Sequence, residues 1–94
     1  MIDSKAIKAI IDKFEGKEGV RGVIIADSNG LPIKSNLDIS IAENVSAYIM
    51  SLIGKAEQCV DALQEGNLNF IRLETSKGEV MVAREEQFIL IILK

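Results

Sequence analysis

Apolar residues recur at Ile7, Ile10, Ile11 and Phe14 with polar residues between them, the spacing of one helix face. Asp3 or Ser4 can cap this helix and Gly16 lies just past its end, so the pattern predicts a first helix over Ser4 to Glu15. Gly16-Lys17-Glu18-Gly19 interrupts it. Val20 to Ala26 is then β-branched and largely apolar, as expected of a central strand covered on both faces. Asp27-Ser28-Asn29-Gly30 reads as a hairpin turn built on the φ-permissive Asn-Gly pair. The returning strand, Leu31 to Ser35, contains Pro32, which cannot donate to a ladder and so marks a sheet edge.

Ser40-Ile41-Ala42-Glu43 has the form of a capping box, and the helix it opens is expected to run to about Glu65, with Gly66 as its stop. On a helical projection Ile41, Val45, Tyr48, Leu52, Ala56, Cys59 and Leu63 form one stripe, which is expected to pack on the sheet. Beside it lies a second apolar stripe, Ala42, Ile49, Ile53 and Val60. One sheet contact does not require so wide an apolar surface, which implies a second packing partner.

Three more strands are predicted at Asn67 to Thr75, Glu79 to Arg84 and Gln87 to Leu93. The run Phe88 to Leu93 is apolar at every position and belongs in the sheet centre with helices on both sides. Leu68, Phe70, Arg72 and Glu74 alternate with Asn69, Ile71 and Leu73, so neither face of that strand is uniformly apolar and it suits an edge. The predicted order is α-β-β-α-β-β-β within a single domain over residues 1–94.

Composition narrows the chemistry. Net charge is −3 with acidic and basic residues spread along the chain, which offers no basic patch for nucleic acid. There is no histidine, which removes the commonest general base and neutral metal ligand. Cys59, the only cysteine, falls on the first stripe of the second helix and is expected to be a packed core thiol. The glycines at 16, 19 and 22 match no phosphate-binding motif, and the DSNG turn lacks the remaining ligands of a calcium loop. Arg21, Arg72 and Arg84 are the only arginines that could act in trans on a partner's nucleotide, and nothing in their setting singles one out. No catalytic residue, cofactor or metal is assigned, and function is expected to reside in a surface. The N-terminal MIDSKAIKAIIDKF lacks the apolar core of an export signal, and no run approaches a membrane span, so a cytoplasmic location is expected.

Gly19-Val20-Arg21-Gly22-Val23-Ile24-Ile25, Gly30-Leu31-Pro32-Ile33-Lys34-Ser35, Glu79-Val80-Met81-Val82-Ala83 and Phe88-Ile89-Leu90-Ile91-Ile92 together resemble the roadblock family of dynein light chains and its prokaryotic relatives. The resemblance covers essentially the whole chain and implies a profilin-like α/β sandwich. Its five-stranded antiparallel sheet would have the order 2-1-5-4-3, with one helix on each face. The C-terminal helix of many relatives is missing here. The resemblance further implies a homodimer in which third strands pair across a two-fold axis and second helices lie antiparallel. Carried onto this chain, the interface would comprise Leu68, Asn69, Phe70, Ile71, Arg72 and Leu73 of the strand and Ala42, Ile49, Ile53 and Val60 of the helix.

Two functions follow from the resemblance. The first is a non-catalytic dimeric scaffold that binds and regulates a Ras-like small GTPase, with Met50, Glu57 and Asp61 on the second helix as contacts. The alternative is a structural light chain that clamps a segment of a larger motor subunit such as dynein intermediate chain. A small-molecule sensor ranks last, because the helix stripes and central strands are aliphatic and offer no polar-lined pocket.

Overall fold

The computed structural model describes residues 4–94, and Asp3, one of the two proposed caps of the first helix, lies outside them. The elements are α1 (Ser4–Glu15), β1 (Gly22–Asp27), β2 (Pro32–Ser35), α2 (Ile39–Ala62), β3 (Phe70–Thr75), β4 (Gly78–Arg84) and β5 (Phe88–Leu93). All strands pair antiparallel in one sheet of order β2-β1-β5-β4-β3. The architecture is an α+β sandwich with the predicted element order, and no helix follows β5.

β1 and β5 are apolar at successive positions because each feeds two cores. Ile24, Ala26, Ile89 and Ile91 join Val82 and the α2 residues Ala42, Ile49 and Ile53 on one side of the sheet. Val23 and Ile25 join Ile7 and Ile11 of α1 on the other, with Phe88 and Leu90 packed beside them. Residues of alternate parity point to opposite faces of a strand, so a strand with a helix on each side has no position for a polar group.

The β1–β2 hairpin closes with a type I turn and a glycine bulge, not with a left-handed Asn-Gly pair. Gly30 alone carries positive φ, at 89°, and its N–H donates to the Asp27 carbonyl at 3.0 Å. A separate irregularity lies in β2, where Ile33 is the extra residue between the Ile25–Lys34 and Ala26–Pro32 pairs.

α2 begins at Ile39 after Asp38, which makes no side-chain cap, so Ser40 and Glu43 lie inside the helix and do not form a capping box at its start. It ends at Ala62, three residues short of the expected Glu65, and Gln64 takes φ 56° in the turn that follows. β3 likewise starts at Phe70, which leaves Leu68 and Asn69 in the connecting loop.

The two sheet edges differ. β2 is four residues long, starts with Pro32 and exposes Lys34, features that discourage pairing with another strand. β3 is six residues long without proline, and its outer side is unpaired.

Candidate functional site

The faces of α2 are exchanged relative to the expectation from its sequence. Ala42, Ser46, Ile49 and Ile53 are buried, and the three apolar ones sit in the core cluster against the sheet. They form one stripe on the helix, and the small side chains at 42 and 46 let its first two turns approach the strands closely. Ala42, Ile49 and Ile53 are therefore not available at the chain's surface, whereas Val60 is half-buried. The stripe expected to pack on the sheet is the outer one: Ile41 is 49%, Tyr48 74% and Leu63 66% exposed, with Val45 and Leu52 half-buried at its base. Cys59 belongs to it and is exposed, not a core thiol.

The second exposed feature is the β3 edge of the sheet. Phe70 and Leu73 of β3 are 47% and 37% exposed, Arg72 is exposed and Ile71 is half-buried. Ile71 faces α2 and packs on its core, and Leu73 shares that face by alternation. Phe70 and Arg72 point to the opposite face, where Arg72 forms an ion pair with Glu79 of β4. That hydrogen bond holds the Glu79 carboxyl below its ordinary range and raises Arg72.

The residues proposed to touch a partner line two clefts that meet on α2. The first, of about 120 Å³, is walled by Met50, Ile53, Gly54 and Glu57 of α2, by Ser28, and by the β4–β5 turn with Arg84, Glu85 and Glu86. The second, of about 460 Å³, lies between Gly54, Glu57, Val60 and Asp61 and the loop segment Gly66, Asn67 and Leu68. Met50 is half-buried, packs on the α2 core and lies over the hairpin glycine. Glu57 pairs with Arg84, which ties α2 to β4, and Asp61 is exposed. Gly54 belongs to both clefts, and a Cβ placed on it would meet no atom within 4 Å. It went unremarked in the sequence, although a glycine inside a 24-residue helix is itself a signal, since it weakens the helix by ~1 kcal/mol relative to alanine.

The remaining candidates have structural partners. Asp27 Oδ1 accepts the N–H groups of Asn29 at 2.9 Å and Leu31 at 3.0 Å, so the carboxylate of the DSNG turn organises its own loop. Arg21 donates to the Lys94 carbonyl at 2.8 Å, and Arg72 and Arg84 are held by Glu79 and Glu57. Among the described residues no group of three or more His, Cys, Asp or Glu side chains is placed to hold a metal, and no helix is long and apolar enough to cross a membrane.

A five-stranded antiparallel sandwich with a helix on each face, a sheet edge at β3 free of proline and an apolar helix face left uncovered is the form of a small interaction module. The sequence gives the module its family. The Roadblock/LC7 domain model matches residues 6–94, essentially the whole chain, and the chain belongs to that family of small regulatory or scaffold modules.

Proposed function

We propose that the chain works as a homodimeric, non-catalytic scaffold that binds a Ras-like small GTPase. One observation carries the dimer: the unpaired β3 edge occurs together with the uncovered α2 stripe of Ile41, Tyr48 and Leu63. A two-fold pairing of β3 strands satisfies backbone groups along the edge and lets the outer stripes of two α2 helices cover one another. The helix seam is then Ile41, Val45, Tyr48, Leu52 and Leu63, in place of Ala42, Ile49 and Ile53, which the chain's own sheet occupies. The strand part is Phe70, Ile71, Arg72 and Leu73, with Leu68 and Asn69 flanking it.

The GTPase reading is supported by family membership. The scaffold positions the GTPase, and any effect on turnover arises in the partner's own site. The test is affinity capture from native lysate with GDP or a non-hydrolysable GTP analogue, followed by binding of the recovered GTPase to the purified chain. Nucleotide-dependent binding that Tyr48→Asp abolishes supports the reading. Recovery of no GTPase in either nucleotide state overturns it.

A further inference from the structure

We infer that the two clefts meeting at Gly54 form a docking groove for a basic segment of a partner protein, one that carries an apolar side chain between arginines or lysines. The groove has an apolar floor of Met50, Ile53, Val60 and Leu68. Four carboxylates rim it, Glu57, Asp61, Glu85 and Glu86, against the single guanidinium of Arg84. This small region thus carries a formal −3, equal to the charge of the entire chain, so the rest of the molecule is balanced.

A separate feature adds to the same field. The groove runs along the C-terminal half of α2, whose last turn contains Asp61 and no basic residue. A helix C-terminus carries partial negative charge and is ordinarily matched by lysine or arginine in its last turn. Here that turn has no cation, the nearest on the helix being Lys55, and Arg84 is already committed to Glu57. The complementary charge therefore has to come from the occupant.

Gly54 supplies the shape. With no side chain of its own and open space around its Cβ position, it lines both clefts where they adjoin. The apolar residue of the occupant sits in this notch, and the flanking cations reach Asp61 on one side and Glu85 and Glu86 on the other, Glu57 being held by Arg84. The groove shares Met50, Glu57 and Asp61 with the contacts expected for the GTPase and Leu68 with the flank of the proposed strand pairing, and the test below reads it on the purified chain by itself.

The test uses the purified chain, isotopically labelled, and two synthetic hexapeptides, one alternating arginine with leucine and one alternating glutamate with leucine. The arginine peptide is expected to shift the amide resonances of Gly54, Glu57, Asp61 and Leu68, with affinity that falls as salt rises. Gly54→Leu fits the open space and is a better helix former, so it folds, and by filling the notch it weakens binding by about tenfold or more. Glu85→Lys with Glu86→Lys weakens it comparably without touching the notch. Arginine-peptide shifts centred elsewhere, equal binding of the glutamate peptide, or unchanged affinity in Gly54→Leu would each overturn the assignment.

Discussion

Gly30 at the tip of the β1–β2 hairpin and Met50 in the middle of α2 are locked together: a Cβ on Gly30 would lie 2.2 Å from the Met50 Cγ. Gly30 also holds φ at 89°, where side chains other than glycine are strained. Gly30→Ala is expected to cost about 1–3 kcal/mol from backbone strain and overlap together. Urea denaturation measures it, and a double-mutant cycle with Met50→Ala should return the overlap part while leaving the φ part.

Ser46 is 1% exposed and its hydroxyl has no hydrogen-bond partner. Ser46→Ala removes an unsatisfied group while nearly keeping its volume, so stability should hold or rise by up to about 1 kcal/mol. A loss of stability in thermal or chemical denaturation would mean that the hydroxyl is satisfied in solution.

Gly54→Ala should stabilise the folded chain by about 0.5–1 kcal/mol, because alanine restricts the unfolded chain and nothing obstructs the added methyl. The denaturation midpoint should rise with the m-value unchanged.

Ile53 and Tyr48 occupy opposite situations on one helix, 3% and 74% exposed. Ile53→Asp puts a carboxylate in the core and should prevent folding, visible as lost circular dichroism cooperativity. Tyr48→Asp should leave folding intact and halve the mass measured by light scattering. A Tyr48→Asp protein with unchanged mass would rule out the helix seam.

Glu79 is held below its ordinary range chiefly by the Arg72 hydrogen bond. A carboxyl with a lowered folded pKa adds stability that is complete above its unfolded value, ordinarily 4.5, and is lost as pH falls through the folded value. Wild type should therefore lose more stability than Arg72→Met between about pH 5 and pH 3. High salt should shrink the difference, since both side chains are solvent-accessible.

The central strands and the two edges were legible in the sequence for one physical reason. A strand covered on both faces has no polar position, as in Phe88 to Leu93, and an edge tolerates a proline such as Pro32. The faces of α2 were not legible, because both stripes are aliphatic and hydrophobicity does not rank them. The bulkier stripe of Ile41, Tyr48 and Leu52 looks like the better core, yet the sheet took the one with Ala42 and Ser46, where small side chains admit close approach. The groove was not legible for a related reason. Glu85 and Glu86 read as an ordinary solvated turn, and only folding brings them beside Gly54 and Glu57, some thirty residues away in the chain.

The contrast between the short, proline-headed β2 and the longer, bare β3 gives the sheet polarity as a growth template. A strand that adds at β3 meets a receptive ladder, whereas one that approaches β2 meets a missing donor and a lysine. If the added strand is the β3 of a second copy, the joined sheet terminates in β2 on both sides. Such a sheet is self-limiting, and the same edge chemistry that invites one neighbour discourages extension into a fibre.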